Sequence, residues 1–319
     1  MILLSSSLVL FAGGTSEISF SQEDTSEQIL IDYDALLPDS PETVQAGLKR
    51  TLNGGIVGEV FPAENTVITF SAGSSGQIEQ RTLTHTEVPS HQLDYNIYRD
   101  PEATQILTDS VNAQNGYLLE YQFPRISVQR FQTQQQFAVL PFYLQVTPNQ
   151  FLRAGTYTDS IDLNAYTSGD SSIEGTMPSL DIEVTVSQFV GINVGDINVF
   201  DPQYQGGYGM DFETLQSYES LSTNVVALAN VPYTIRASSA NNGSMKHESL
   251  DEYIPYEFSF AQSLADLTGS QTNPIVVLES TDISSSTGDV YQIEVEIGYF
   301  DWKPAGDYQD TISFEIEAY

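Results

Sequence analysis

The sequence predicts an all-β protein built as two β-sandwich domains in tandem. Three observations carry that prediction. Apolar and polar residues alternate with period two through segment after segment, the mark of half-buried antiparallel strands. Clusters of Gly, Ser, Asn and Asp separate those segments, as in sandwiches and barrels. The two halves also echo each other: Ala154-Gly-Thr-Tyr-Thr-Asp159 returns as Ala305-Gly-Asp-Tyr-Gln-Asp310. A length of 319 residues suits two domains, and 40% apolar residues suffice for a core in each.

The elements follow in chain order. Residues 1–12 form a short apolar run before Gly13-Gly14, which predicts a secretory signal over 1–14. It lacks a basic n-region, so the alternative of a first strand stays open. Pro41–Leu52 predicts a helix, capped by Ser40, begun by Pro41 and ended by Gly54-Gly55. A second short helix is predicted from Pro101, capped by Asp100. Strands are predicted at 67–70, 93–98, 137–146 and 160–165, then at 180–186, 233–236, 291–297 and 311–317. The linker-like stretches 167–172 and 175–179 place a first domain at 15–178 and a second at 179–319. Residues 180–186 could also return to the first domain as its closing strand.

Three further echoes extend the repeat. Leu93-Asp-Tyr-Asn-Ile97 matches Ile254-Pro-Tyr-Glu-Phe258; Ile68 matches Ile235; and Gly76-Gln-Ile78 matches Gly243-Ser-Met245. In the AGxYxD element the glycine permits a sharp turn. The tyrosine is expected to bury its ring and bond its hydroxyl to nearby backbone, as in the tyrosine corner of immunoglobulin-like sandwiches. The aspartate is expected to hold the turn through local backbone bonds. Tyr157, Asp159, Tyr308 and Asp310 are therefore assigned to structure and not to ligand contact.

Charge restricts the partners. Ten basic residues against 43 acidic ones give a net charge of −33, spread over both halves. With no Lys/Arg cluster, neither nucleic acid nor an anionic membrane surface is an expected partner. No apolar run approaches the ~18 residues of a spanning helix. Cysteine is absent, which excludes disulfides, thiolate metal sites and a cysteine nucleophile. The three histidines, His85, His91 and His247, lack metal spacing and are expected at the surface. Nucleophile-elbow, phosphate-loop and dinucleotide motifs are missing, so no catalytic residue, metal or cofactor is assigned. A glycan hydrolase built on a carboxylate pair is the enzyme class that stays open, a distant third reading, and no spacing singles out a pair among the 43 acids. The loop Asp201–Gly209 is aromatic and Gly-rich. Its Tyr204 and Tyr208 either offer adhesive contact or pack on the sheet.

The element G-x-Y-x-D entering an alternating strand, with an upstream L-x-Y-x-I strand, resembles the spore coat protein U domain of archaic chaperone–usher pilins. The first half carries LDYNIYRD (93–100) and AGTYTDSIDL (154–163). The second carries VPYTIRASSANNGSM (231–245), IPYEFSF (254–260) and AGDYQDTISFEIEAY (305–319). The family's usual disulfide has no counterpart, and 21–66 has no place in its pattern. The resemblance implies immunoglobulin-like sandwiches, the second lacking its last strand, because none follows Tyr319. Ile312, Phe314, Ile316 and Tyr319 would then face an open groove. Each such side chain left exposed forfeits about 1.5–3 kcal/mol. A strand from a periplasmic chaperone, then from a neighbouring subunit, would fill it. The outer-membrane usher would be the further assembly partner.

For a donor of its own, Ile18 and Phe20 alternate, but 21–28 is polar. No donor, a closed first domain and an open second one describe a tip subunit that mediates attachment to a receptor or surface. If residues 1–11 are retained, they become the donor and the chain an internal subunit. The alternative is a secreted two-domain carbohydrate- or surface-binding sandwich protein without an assembly role.

Overall fold

The structure, a computed structural model, describes residues 14–33, 41–109, 116–167, 178–204 and 206–319. Residues 1–13 of the predicted signal, the Ser40 cap and most of the predicted linker lie outside these residues. The chain divides into two units, residues 1–187 and 188–319. Among the described residues there are strands and two short 3-10 turns but no α-helix.

The first unit holds β1 (Thr15–Phe20), β2 (Gln28–Tyr33), β3 (Glu42–Asn53), β4 (Glu59–Phe61), β5 (Glu64–Phe70) and β6 (Arg81–His85). It continues with β7 (Gln92–Tyr98), β8 (Leu119–Phe123), β9 (Ile126–Val128), β10 (Thr133–Val146), β11 (Gly155–Thr167) and β12 (Ser179–Val186). One sheet runs β1-β3-β10-β7-β6-β11-β12-β2, and β5 joins β11 to β8. The inward residues of these strands, among them Leu48, Phe70, Tyr95, Phe142 and Ile161, form one core.

The second unit holds β13 (Val190–Gly195), β14 (Ser220–Ala229), β15 (Tyr233–Ser239), β16 (Ser244–His247) and β17 (Tyr253–Phe260). Then come β18 (Ser263–Ala265), β19 (Ile275–Ser280), β20 (Asp289–Ile297), β21 (Tyr308–Gln309) and β22 (Ile312–Ala318). One sheet runs β13-β14-β20-β17-β16-β21 and the other β19-β15-β22. Val225, Tyr233, Ile235, Phe258 and Ile297 anchor its core.

Both predicted helices are replaced. Residues 42–53 form a strand between β1 and β10 because Val44, Ala46, Leu48, Arg50 and Leu52 bury one face with period two. That burial outweighs the cap and breaker signals at the ends of the segment. After Asp100 the chain makes a tight turn: the carboxylate accepts from Thr104 N, Thr104 Oγ1 and Gln105 N, and Ala103 sits at φ +55°. The division of the chain also differs from a break at 178/179. Residues 179–186 lie in the first unit, paired with β11 from Gly155↔Val186 to Asp162↔Ser179.

The repeat is visible in the pairing. β5 pairs β11 through Ile68↔Ala165 and Phe70↔Leu163; β15 pairs β22 through Ile235↔Ile316 and Ala237↔Phe314. Leu83↔Leu93 corresponds to Met245↔Ile254. The counterpart of Met245 is therefore Leu83 in β6, not Ile78, because the short helical turns 73–75 and 78–80 lengthen the first unit there.

Candidate functional site

Each unit is cornered by the same four side chains. Tyr157 is fully buried and its hydroxyl donates to Arg153 O at 2.8 Å; the Tyr308 hydroxyl donates to Pro304 O at 3.1 Å. Against each ring stands a histidine edge: His85–Tyr157 and His247–Tyr308 centroids are both 4.9 Å apart. His85 Nε2 donates to Ala154 O and His247 Nε2 to Ala305 O, at 3.1 and 3.2 Å. Each Nδ1 accepts two backbone N–H groups, from Glu87 and Val88 or from Ser249 and Leu250. His85 and His247 are thus 2% and 5% exposed, correcting the expected surface placement; His91 is half-buried. Their burial follows from the bare glycines Gly155 and Gly306, which admit the ring edge.

The aspartates act at a distance, not within their own turn. Asp159 accepts from Tyr95 OH at 2.6 Å and from Ser74 N at 2.9 Å. Asp310 accepts from Tyr256 OH at 2.6 Å, from Ser239 Oγ, and from Asn241 N and Nδ2 at 3.0 Å each. They fasten the corner strand to β7 or β17 across each unit.

Burial also raises the phenol pKa values. Tyr157 is pushed up from 10.0 to about 12, mainly by burial, with Arg153 opposing. Burial likewise raises Tyr95, Tyr233 and Tyr256, with carboxylate or phenol partners adding to it. A raised folded pKa favours the neutral phenol. The stability it contributes is complete below about pH 10 and is lost as pH climbs towards and past about 12. We expect urea midpoints to fall steeply above pH 10 and Tyr157→Phe to flatten that fall. The variant should also cost about 1 kcal/mol at pH 7, the worth of its hydrogen bond.

The two corner strands differ in one respect. β11 has β6 and β5 along one edge and β12 along the other, and its inward Ile161, Leu163 and Ala165 are 0, 1 and 4% exposed. β21 and β22 have β16 and β15 along one edge. Among the described residues no strand pairs with their other edge. Ile312, Phe314 and Ile316 are only half-buried. Beside them opens a groove of about 890 Å³. Met245, Ile254, Ile293 and Val295 line it from β16, β17 and β20, and Ile312 and Phe314 from β22.

The groove does not gather every predicted residue. Ile316 packs on the second core beyond the groove lining. Tyr319 is 64% exposed, with its backbone N bonded to Pro232 O. Tyr204 and Tyr208 tie their hydroxyls to Val194 O and Asp196, at the end of β13, and Tyr208 also lines the groove. Sequence reading missed Trp302, which lines the groove at 88% exposure. Its signal was its place, three residues before the second AGxYxD element, as the only tryptophan in the chain. Among the described residues no cluster of His, Asp and Glu has metal-binding geometry.

Residues 62–164 match the model of the Spore Coat Protein U domain. No curated protein matches the chain in sequence. Among solved structures, the chain is similar to a chain of the CsuC–CsuE chaperone–tip adhesion subunit pre-assembly complex from archaic chaperone–usher Csu pili of Acinetobacter baumannii. That match has 14% identity, covers 95% of this chain and 100% of that one, and has a TM-score of 0.41. It is also similar to CfaE, the adhesive subunit of CFA/I fimbria of enterotoxigenic Escherichia coli, with 11% identity, 92% of each chain and a TM-score of 0.40. A third is the CssB subunit complemented with a donor strand from CssA, from enterotoxigenic Escherichia coli: 17% identity, 54% of this chain, 97% of that one, TM-score 0.26.

Proposed function

We propose that the chain is a non-enzymatic subunit of a chaperone–usher surface pilus, exported through the periplasm, whose second unit is completed by a strand from another polypeptide. A single contrast carries this reading: β11 is closed by β12, whereas among the described residues the equivalent edge of β21–β22 is unpaired, beside a groove of mixed lining with Met245, Ile254, Ile293, Val295, Ile312 and Phe314 on its walls. An alternating strand laid there would add ladder hydrogen bonds and cover Ile312 and Phe314, which is β-strand addition. The donor is a periplasmic chaperone before assembly and a neighbouring subunit after it, with an outer-membrane usher as the assembly platform. The match of 62–164 to the Spore Coat Protein U domain supports the same class.

The tip position and attachment belong to this proposal. The first unit, the adhesive one, is closed by its own β12. β1, where a donor segment would be sought, is paired with β3 and buries Ile18.

The test uses the whole chain and a synthetic peptide of alternating apolar and polar residues. Trp302 emission should move to shorter wavelength as the peptide covers it. At about a hundredfold excess over Kd the melting of the second unit should rise by about 10 °C. A chain that binds no such peptide and melts unchanged has a closed second unit, and the stand-alone surface-binding protein then takes its place.

A further inference from the structure

The groove is bordered by a segment that belongs to no strand. Residues 206–217, between β13 and β14, form no strand. Within them Met210, Phe212 and Leu215 are half-buried against the second core, while Gly209, Asp211, Glu213 and Thr214 are exposed. Tyr208 through Leu215 all line the groove that Ile312 and Phe314 line. The segment is held lightly. Among the described residues the only hydrogen bond made by the backbone of 209–215 is its own, Glu213 N to Asp211 Oδ1 at 2.8 Å. It contributes three apolar side chains and no ladder, although the adjacent edge of β22 offers one.

We propose that Tyr208–Leu215 is a displaceable plug, which covers the groove in the unoccupied subunit and is expelled when a strand enters. This inference rests on the open-groove reading above. The physical case is an exchange of unequal partners. Plug and strand both cover apolar side chains, but the strand also pairs the free edge of β22, whose N–H and C=O groups gain partners. The plug shields apolar surface that would otherwise promote association between open subunits. It also lowers apparent donor affinity by the fraction of time it sits in place. Met210 and Phe212 alternate, but the next position is Thr214, not an apolar residue, and Glu213 sits at φ +53°, so the segment as folded forms no competing strand.

Two measurements on the full chain test this. In stopped-flow mixing with the alternating peptide, read by Trp302 emission, Phe212→Ser should associate about tenfold faster than the wild type. Loss of its partial burial frees the groove more often. In the wild type, which needs no variant to fold, peptide binding should accelerate cleavage after Glu213 by a Glu-specific protease. Equal or slower association of Phe212→Ser, or cleavage after Glu213 that is unchanged or slowed by the peptide, overturns the plug while the open groove stands. If neither protein binds the peptide, the groove reading falls and the plug falls with it.

Discussion

Gly306→Ala is expected to destabilise the second unit by about 3–5 kcal/mol, enough to unfold a domain of ordinary stability. Two costs add. The residue sits at φ +149°, a conformation that costs a side-chain-bearing residue about 1–3 kcal/mol. Its new Cβ would also stand 2.3 Å from His247 Nε2, so the ring must leave. Leaving breaks the Nε2 bond to Ala305 O and frees the two N–H groups that Nδ1 accepts, each bond worth about 0.5–1.5 kcal/mol. His247→Ala removes the ring and its bonds but not the backbone strain. The double variant should therefore fall short of the sum of the singles by about 1–2 kcal/mol. Urea unfolding followed by circular dichroism measures all four corners of the cycle. Strict additivity would refute the steric account. Gly155 and His85 repeat the geometry in the first unit, with φ +138° and a 2.4 Å approach, and should show the same coupling.

This corner shows how far the sequence could be read. Period-two alternation located eight strands because burying one face of a pleated sheet leaves a local trace in composition. The echo of Tyr95 in Tyr256 was legible for the same reason, but the aspartates that those phenols answer were not. Asp159 and Asp310 meet their partners across the sheet, and nothing in a local window announces that. Residues 42–53 show the converse, since Pro41, Gly54 and Gly55 signal a helix locally while β1 and β10 impose a strand. The histidines were misjudged because their burial depends on glycines 70 and 59 residues away in sequence. The plug was invisible for a further reason: Met210, Phe212 and Leu215 follow neither a helical nor a strand period.

The two aspartates, alike in sequence, are expected to differ in weight. Asp159→Asn should cost about 3–4 kcal/mol and Asp310→Asn about 1–2 kcal/mol. Asparagine keeps the shape and an oxygen for the phenol, so what each substitution removes is chiefly charge. In the second unit that charge receives neutral donors: Tyr256, Ser239 and Asn241. In the first unit it also acts on Arg81, fully buried and, among the described residues, bonded only to neutral oxygens, those of Ser71, Ile78, Phe70, Leu107 and Asn96. Burial pushes the Arg81 pKa down, and Tyr95, Asp109 and Asp159 push it back. Removing one of two carboxylates leaves a desolvated cation partly unanswered, which is the expensive case for a buried charge. At the position equivalent to Arg81, β16 is entered by Gly243, so no such cation exists in the second unit. Chemical denaturation of the two variants, each read on its own unit's transition, decides the matter. Equal costs would mean that the carboxylates serve only their phenols, and that Arg81 is held by its carbonyl cage alone.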